Sequence, residues 1–252
     1  MPRPDASAKL AQAKPKDRSG LRNAIIAAIA VIAVVGIVVA IFATRGSGNT
    51  AADGPKGSNP GGKGVVAYPG KAAEGAPVVD LYEDFQCPIC KQLETTNGSA
   101  IDAAAKAGKI KLVYHMMSFL DDNLRNDGSK IAANASFCAS DAGKFPQFHK
   151  AAFAAQRPEE QAQQGDTFSV NEVKGYASKM GLSGSALTTY QQCVSSDKYS
   201  KYVTATQTQS SKDGVNGTPT LKINGQALDQ NQMGGLLNDP GSFDGILAQY
   251  AK

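Results

Sequence analysis

The sequence predicts an α/β fold with a helical insertion, preceded by one transmembrane helix, and three observations predict it. Two apolar strand-like segments, Val78 to Phe85 and Lys109 to Met116, bracket a stretch of helical spacing from Cys87 to Ala107, which reads as strand, helix, strand. From about Asp121 to Asp213 the composition turns to Ala, Ser, Gln and Lys with helical periodicity. Residues 24–43 form twenty consecutive positions without a charge, AIIAAIAVIAVVGIVVAIFA, long enough to cross a bilayer core as one helix.

Residues 1–23 carry six basic side chains, Arg3, Lys9, Lys14, Lys16, Arg18 and Arg22, against Asp5 and Asp17. The positive-inside tendency keeps such a tail cytoplasmic and exports the chain beyond the apolar run. A cleaved signal peptide normally has a shorter apolar region ending in a small-x-small site, whereas this run passes straight into Thr44-Arg45, so 24–43 is read as a retained anchor in the cell membrane. Residues 44–64 have no bulky apolar side chain and read as a flexible linker. Residues 65–252 are one domain's worth of chain, enough to bury a core.

Within that domain Val65-Val66-Ala67 reads as a short first strand, and the first helix is expected to kink near Asn97-Gly98. The insertion, about 121–213, is read as helices over Ile131 to Ala142, Pro146 to Gln156, Val170 to Met180, Ser185 to Ser195 and Tyr199 to Ser211. Thr220 to Ile223 and Gln226 to Leu228 flank Asn224-Gly225, the preferred pair for a type I′ hairpin turn. A last helix, Phe243 to Ala251, closes the chain. The net charge of +4 belongs to the tail and linker, because the domain holds seventeen basic against nineteen acidic residues. Nothing in that balance argues for a nucleic-acid partner.

The chemistry sits in Asp84-Phe85-Gln86-Cys87-Pro88-Ile89-Cys90, where the strand hands over to the helix. A sulfur at a helix N-terminus faces unpaired amide N–H groups and the positive end of the macrodipole, which favour thiolate over thiol, so Cys87 is the expected nucleophile. Cys90, one turn on and on the same face, can close back onto it as resolving thiol. A zinc site needs four ligands, and Cys138, Cys193, His115 and His149 offer no second close pair, so no metal is expected. A purely structural bridge over so short a loop would constrain the unfolded chain little.

The order of elements, the Phe85-to-Cys90 motif, Gly217-Thr218-Pro219-Thr220 far downstream and Lys144-Phe145-Pro146-Gln147-Phe148-His149 before an Ala/Phe helix together resemble the DsbA-like branch of the thioredoxin superfamily, over roughly Val78 to Lys252. The resemblance implies a thioredoxin-like fold with a helical insert and extracytoplasmic thiol–disulfide exchange, with no cofactor of its own. It implies Cys87 as attacking thiol and a cis Pro219 facing the disulfide, with Pro88, Ile89, Thr218 and Pro219 meeting an extended substrate chain. Its partners would be exported proteins with reduced or mispaired cysteines and a membrane redox partner, quinone-linked, that reoxidises the site. Two departures bear on mechanism. Many relatives carry a proton-transferring glutamate six positions before the first cysteine, where this chain has Leu81, and the most oxidising relatives have a histidine between the cysteines, where this chain has Ile89. Strand alternation puts Asp80 and Asp84 on the face opposite Leu81 and Glu83, which leaves open which acid, if any, reaches the site; the plain reading for all three acids is a solvated strand end.

Cys138 and Cys193 both fall in the insertion, and in an exported domain pairing is the economical reading, with two buried free thiols as the alternative. His115 and His149 read as packed or capping histidines without a catalytic role. The expected function is the introduction of disulfides into exported proteins. A reductase or isomerase working from the dithiol form is the alternative within the same class, and a non-catalytic peptide-binding module beside Pro219 is the alternative outside it. Solvent access separates the two classes: a reactive pair has a reachable Cys87 over a shielded Cys90.

Overall fold

The computed structural model describes residues 54–165 and 167–250; the apolar run 24–43, read as an anchor, lies outside the described residues. Among the described residues no helix is long and apolar enough to cross a membrane.

Strands β1 (Val65–Val66), β2 (Val78–Glu83), β3 (Lys111–Met116), β4 (Thr220–Ile223) and β5 (Gln226–Ala227) form one sheet in the order β1-β3-β2-β4-β5. β2 is central. It runs parallel to β3, with Val79 opposite Leu112 and Leu81 opposite Tyr114, and antiparallel to β4, with Leu81 opposite Leu221. A parallel pair needs a crossover, and here it is two helices, α1 (Pro88–Thr96) and α2 (Gly98–Lys106), broken at Asn97 as the sequence suggests. The hairpin forms around Asn224 (φ 51°) and Gly225 (φ 80°), the double positive φ that a type I′ turn requires.

The insertion carries α3 (Leu120–Leu124), α4 (Gly128–Asp141), α5 (Phe145–Ala155), α6 (Glu159–Gln163), α7 (Val170–Gly175), α8 (Gly184–Ser195) and α9 (Ser200–Lys212). The helix expected to run to Met180 stops at Gly175, whose lack of a side chain weakens helix continuation. Instead of one closing helix there are two, α10 (Gln230–Asn238) and α11 (Ser242–Ala248). The first is set by a capping box in which Asp229 accepts from Gln232 N–H at 2.8 Å and Gln232 Oε1 accepts from Asp229 N–H at 3.1 Å. Asn97 ties the crossover to these helices: its Nδ2 donates to Leu236 O (2.7 Å) and Asp239 O (3.0 Å), and its Oδ1 accepts from Gly241 N–H (3.0 Å).

The core around the sheet contains wholly buried Leu81, Phe85, Leu93, Ile101, Met116, Phe148, Leu221 and Phe243. Burying each such side chain is worth about 1.5–3 kcal/mol before entropy is counted. Phe85, at the end of β2, meets Phe153 at 5.1 Å and Phe148 at 5.8 Å between ring centroids, which fixes α5 of the insertion over the strand end.

Over 54–64 the segment read as a flexible linker is instead laid against α9. Tyr202 Oη donates to the carbonyls of Asn59 (2.8 Å) and Gly64 (3.0 Å), and Ser58 bridges to Val65. The glycine content is what permits the contact: a Cβ on Gly62, at φ 78°, would lie 2.4 Å from the Ala205 backbone carbon. A composition that reads as flexible is here a composition for close approach.

Cys138 on α4 and Cys193 on α8 are disulfide-bonded, 55 residues apart in sequence. Replacing both with Ala is expected to lower stability by about 4 kcal/mol in the chain-entropy account of such a loop, while leaving exchange at Cys87 largely intact. Denaturant midpoints of the double variant beside its initial exchange rate check both halves of that expectation.

Candidate active site

The chain leaves β2 through a tight turn in which Cys87 N–H donates to Asp84 O at 2.9 Å, and Cys87 becomes the N-cap of α1 with Pro88 at its first position. Proline there is pre-set for a helix and costs no hydrogen bond, because the first N–H groups have no intrahelical partner. The cap puts the Cys87 sulfur at the open amides of the first turn. The Cys90 thiol, which donates to that sulfur, holds the Cys87 thiol down at about 6 against the opposing effect of burial, helped by the N–H groups of Cys90 and Ile89. Cys90 moves the other way, raised well above its ordinary value by burial first, then by its bond to Cys87 and by the Glu83 charge. Both are thiols in this structure, Cys87 6% exposed and Cys90 0%.

The Thr218–Pro219 peptide bond is cis, and the Thr218 carbonyl oxygen lies 3.3 Å from Cys87 Sγ. Segments 131 residues apart in sequence thus meet over one sulfur. Pro88 and Ile89 stand exposed next to it, and Ile89, at 44%, is among the described residues one of the few large apolar side chains left open to solvent.

The acids of β2 are not a solvated strand end. Glu83 and Asp84 are both wholly buried, and only Asp80, hydrogen-bonded to His115 Nε2 at 2.8 Å, keeps part of its surface. Asp84 accepts from Gln86 N–H (2.9 Å), Ser129 Oγ (2.5 Å) and Leu120 N–H (3.3 Å), so it organises the loop after β2 and the start of the insertion; burial nevertheless lifts it to about 7. Gln86 extends the same network to Asp121 (2.9 Å) and Asn126 (2.8 Å). Gln156, just past α5, donates through Nε2 to the carbonyls of Phe85 (2.7 Å) and Cys87 (2.9 Å), so the insertion itself holds the cysteine loop.

Glu83 faces the cysteines. Burial raises it well above the carboxylate range and the Cys87 charge raises it further. Leu81 is core, packed between β3 and β4, and the buried acid on that face of β2 is Glu83, two residues later. His149 does more than pack. Its Nε2 lies 2.7 Å from Glu83 Oε2, and its Nδ1 faces Glu94 Oε2 at 3.8 Å. No local sequence signal marks that histidine, because Glu83 is 66 residues away. The donor atoms of Glu83, Glu94 and His149 lie within 4.8 Å of one another. With the imidazole between the two carboxylates, one nitrogen toward each, the geometry is that of a hydrogen-bonded chain, since an ion could take only one of those nitrogens.

Residues 71–237 match the family model described as thioredoxin. Among solved structures, the MdbA protein, a thiol–disulfide oxidoreductase from Actinomyces oris, is 26% identical with a TM-score of 0.57, over 69% of this chain and 80% of its own. The disulfide bond oxidoreductase DsbG from Mycobacterium tuberculosis is 25% identical with a TM-score of 0.57, over 75% of this chain and 94% of its own. DsbA from the same organism is 25% identical with a TM-score of 0.54, over 72% and 96%. No curated protein matches the chain. With the family model spanning strands β2 to β5, the insertion and the cysteine pair, and with these oxidoreductases sharing the architecture, the chain belongs to the thioredoxin family and is a thiol–disulfide oxidoreductase.

Proposed function

We propose that the protein is a membrane-tethered dithiol oxidase, held by residues 24–43 with its catalytic domain outside the cytoplasm, that introduces disulfides into exported proteins through Cys87 and Cys90. The observation that carries this reading is the asymmetry of the pair: a sulfur with a 6% exposed edge held down at about 6, beside a 0% exposed partner pushed up. A client thiolate attacks Cys87 Sγ of the disulfide, and the electron pair of the broken S–S bond leaves on Cys90. A second client thiolate then attacks the client sulfur of the mixed disulfide and expels Cys87 as thiolate. The client is oxidised by two electrons, the enzyme is reduced, and a quinone-linked membrane partner restores the disulfide.

Stabilising the Cys87 thiolate stabilises the reduced enzyme, which makes the disulfide a stronger oxidant. Exposed Ile89 with Pro88, Thr218 and Pro219 forms the contact face for an extended client chain beside the sulfur. The test is a glutathione redox titration of the protein retained in membranes after an alkaline carbonate wash, which strips proteins that do not span the bilayer. Retention with a potential well above the roughly −270 mV of thioredoxin, toward the roughly −120 mV of a strong oxidant, is the expected result. Release by carbonate overturns the anchor, and a thioredoxin-like potential replaces the oxidase by a reductase.

A further inference from the structure

Opening the Cys87–Cys90 disulfide leaves the electron pair on a sulfur that is 0% exposed and holds its proton tightly. A buried thiolate without a proton is costly, so each turnover must deliver one proton to a place water does not reach. Glu83 is the acid facing the pair, but it is itself wholly buried, and its Oε1 has no hydrogen-bond partner among the described residues. Something has to refill it.

Behind Glu83 the imidazole of His149 stands between two carboxyl groups, 2.7 Å from Glu83 Oε2 and 3.8 Å from Glu94 Oε2, the latter span closing to a hydrogen bond by a small side-chain rotation. Glu94 and His149 in turn line a cavity of about 290 Å³ walled by Tyr68, Asp102, Lys106 and Tyr114. None of Cys87, Ile89, Thr218 or Pro219 lines that cavity, so it is separate from the client-binding face. Glu94 Oε1 is buried there with no hydrogen-bond partner among the described residues.

We propose that His149 and Glu94 are proton-relay residues, passing protons between water in this cavity and Glu83 at the buried cysteine pair. The relay rests on the exchange reading of the pair. The balance closes simply. Glu83 gives its proton to the Cys90 thiolate; the imidazole accepts a proton at Nδ1 from the Glu94 carboxyl and releases one from Nε2 to Glu83; Glu94 is refilled from cavity water. Reoxidation runs the chain backward. Because the cavity shares no residue with the client-binding face, the route works while a client covers Cys87.

The charges around the relay favour this use. Burial holds His149 below its ordinary range, opposed by Glu94 and Asp102 on α1 and α2, and burial with the Glu83 charge lifts Glu94 to about 8. The other titratable groups facing the imidazole are Glu83 on β2 and the Tyr114 ring on β3, at 4.3 Å between centroids; Tyr68, Lys106 and Lys150 stand at the cavity wall. Glu94 can therefore exchange protons near neutral pH, where the enzyme works.

The experiment monitors reduction of the oxidised enzyme by a thiol peptide in stopped flow from pH 5 to 9, for the wild type, Glu94→Gln and His149→Gln. Glu94→Gln keeps the shape of the side chain at the cavity wall, so it serves if the buried histidine variant does not fold. The expected result is a slowing of roughly a hundredfold at neutral pH, the low end of what a positioned acid–base group supplies, with recovery when imidazole is added as a diffusible proton carrier. A structural role would not be rescued. A Glu94→Gln rate equal to wild type at every pH, or a slowing that imidazole leaves untouched, overturns the relay. A wild-type enzyme that does not react with the peptide at all overturns the exchange reading itself.

Discussion

Replacing Cys87 by Ser brings oxidation of a reduced test protein down to the uncatalysed background, and replacing Cys90 by Ser leaves client proteins trapped on Cys87. The two sulfurs differ in the properties that decide attack. Cys87 sits at the N-terminus of α1, keeps a 6% exposed edge and is held down at about 6, so near neutral pH it is a thiolate within reach of a client. Cys90 is sealed and protonated, so it reacts only with the Cys87 sulfur once that sulfur is disulfide-bonded to a client, which leaves as thiolate. Without Cys90 the mixed disulfide that forms when the Cys87 thiolate attacks an oxidised client loses the enzyme's own route of release, and on clients with no second thiol in reach it accumulates. Non-reducing electrophoresis with mass mapping reads the result; a client linked through Cys90 in the Cys87→Ser protein would reverse the assignment.

The second large effect is a pH-dependent gap between the two redox forms. The Cys87 thiol lies at about 6 in the folded reduced protein, against an ordinary value of 9.0 for the unfolded chain. A depressed folded value gives stability that is complete above pH 9, shrinks as pH falls, and is gone below 6. The shift of about three units corresponds to about 4 kcal/mol at pH 9 and about 1.4 kcal/mol at pH 7. The buried acids act in the opposite sense: Asp84 and Glu94, raised to about 7 and 8, destabilise the fold progressively as pH rises above the ordinary carboxylate range. They do so in both redox forms, so the reduced-minus-oxidised difference reports the Cys87–Cys90 pair together with Glu83, the carboxyl its charge couples to. Paired denaturation curves from pH 5 to 9 should show the gap widen upward from about pH 6, and a flat gap would remove the thiolate as the source of oxidising power.

What the sequence made legible was local. The Cys-Pro-Ile-Cys step from strand to helix, the Asn224-Gly225 hairpin and the break at Asn97-Gly98 each depend on neighbours within a few residues, and each stands close to its expected place. What stayed hidden depends on distant partners. Gln156 reaches back 71 residues to Phe85, Asn97 reaches 139 residues forward to Leu236, and His149 finds Glu83 at a separation of 66. A buried acid on β2 looks the same in sequence as one at a wet strand end. The helix α10 did carry a signal, the Asp229-to-Gln232 capping box, masked by Gly234-Gly235 in its interior. Residues 54–64 were misleading for the same physical reason in reverse, because glycine permits tight packing as readily as motion.

The two bonds from Gln156 to the carbonyls of Phe85 and Cys87 have a thermodynamic consequence. The loop that presents the reactive sulfur belongs to the thioredoxin sheet by sequence and to the inserted helices by hydrogen bonding. With Phe85 also clasped by Phe148 and Phe153, the insertion is a cooperative part of the fold, and its local opening free energy sets a ceiling on the order of the cysteine loop. Fraying of α5 frees the Phe85 and Cys87 carbonyls together, so the poise of the sulfur and the integrity of the insertion rise and fall as one quantity.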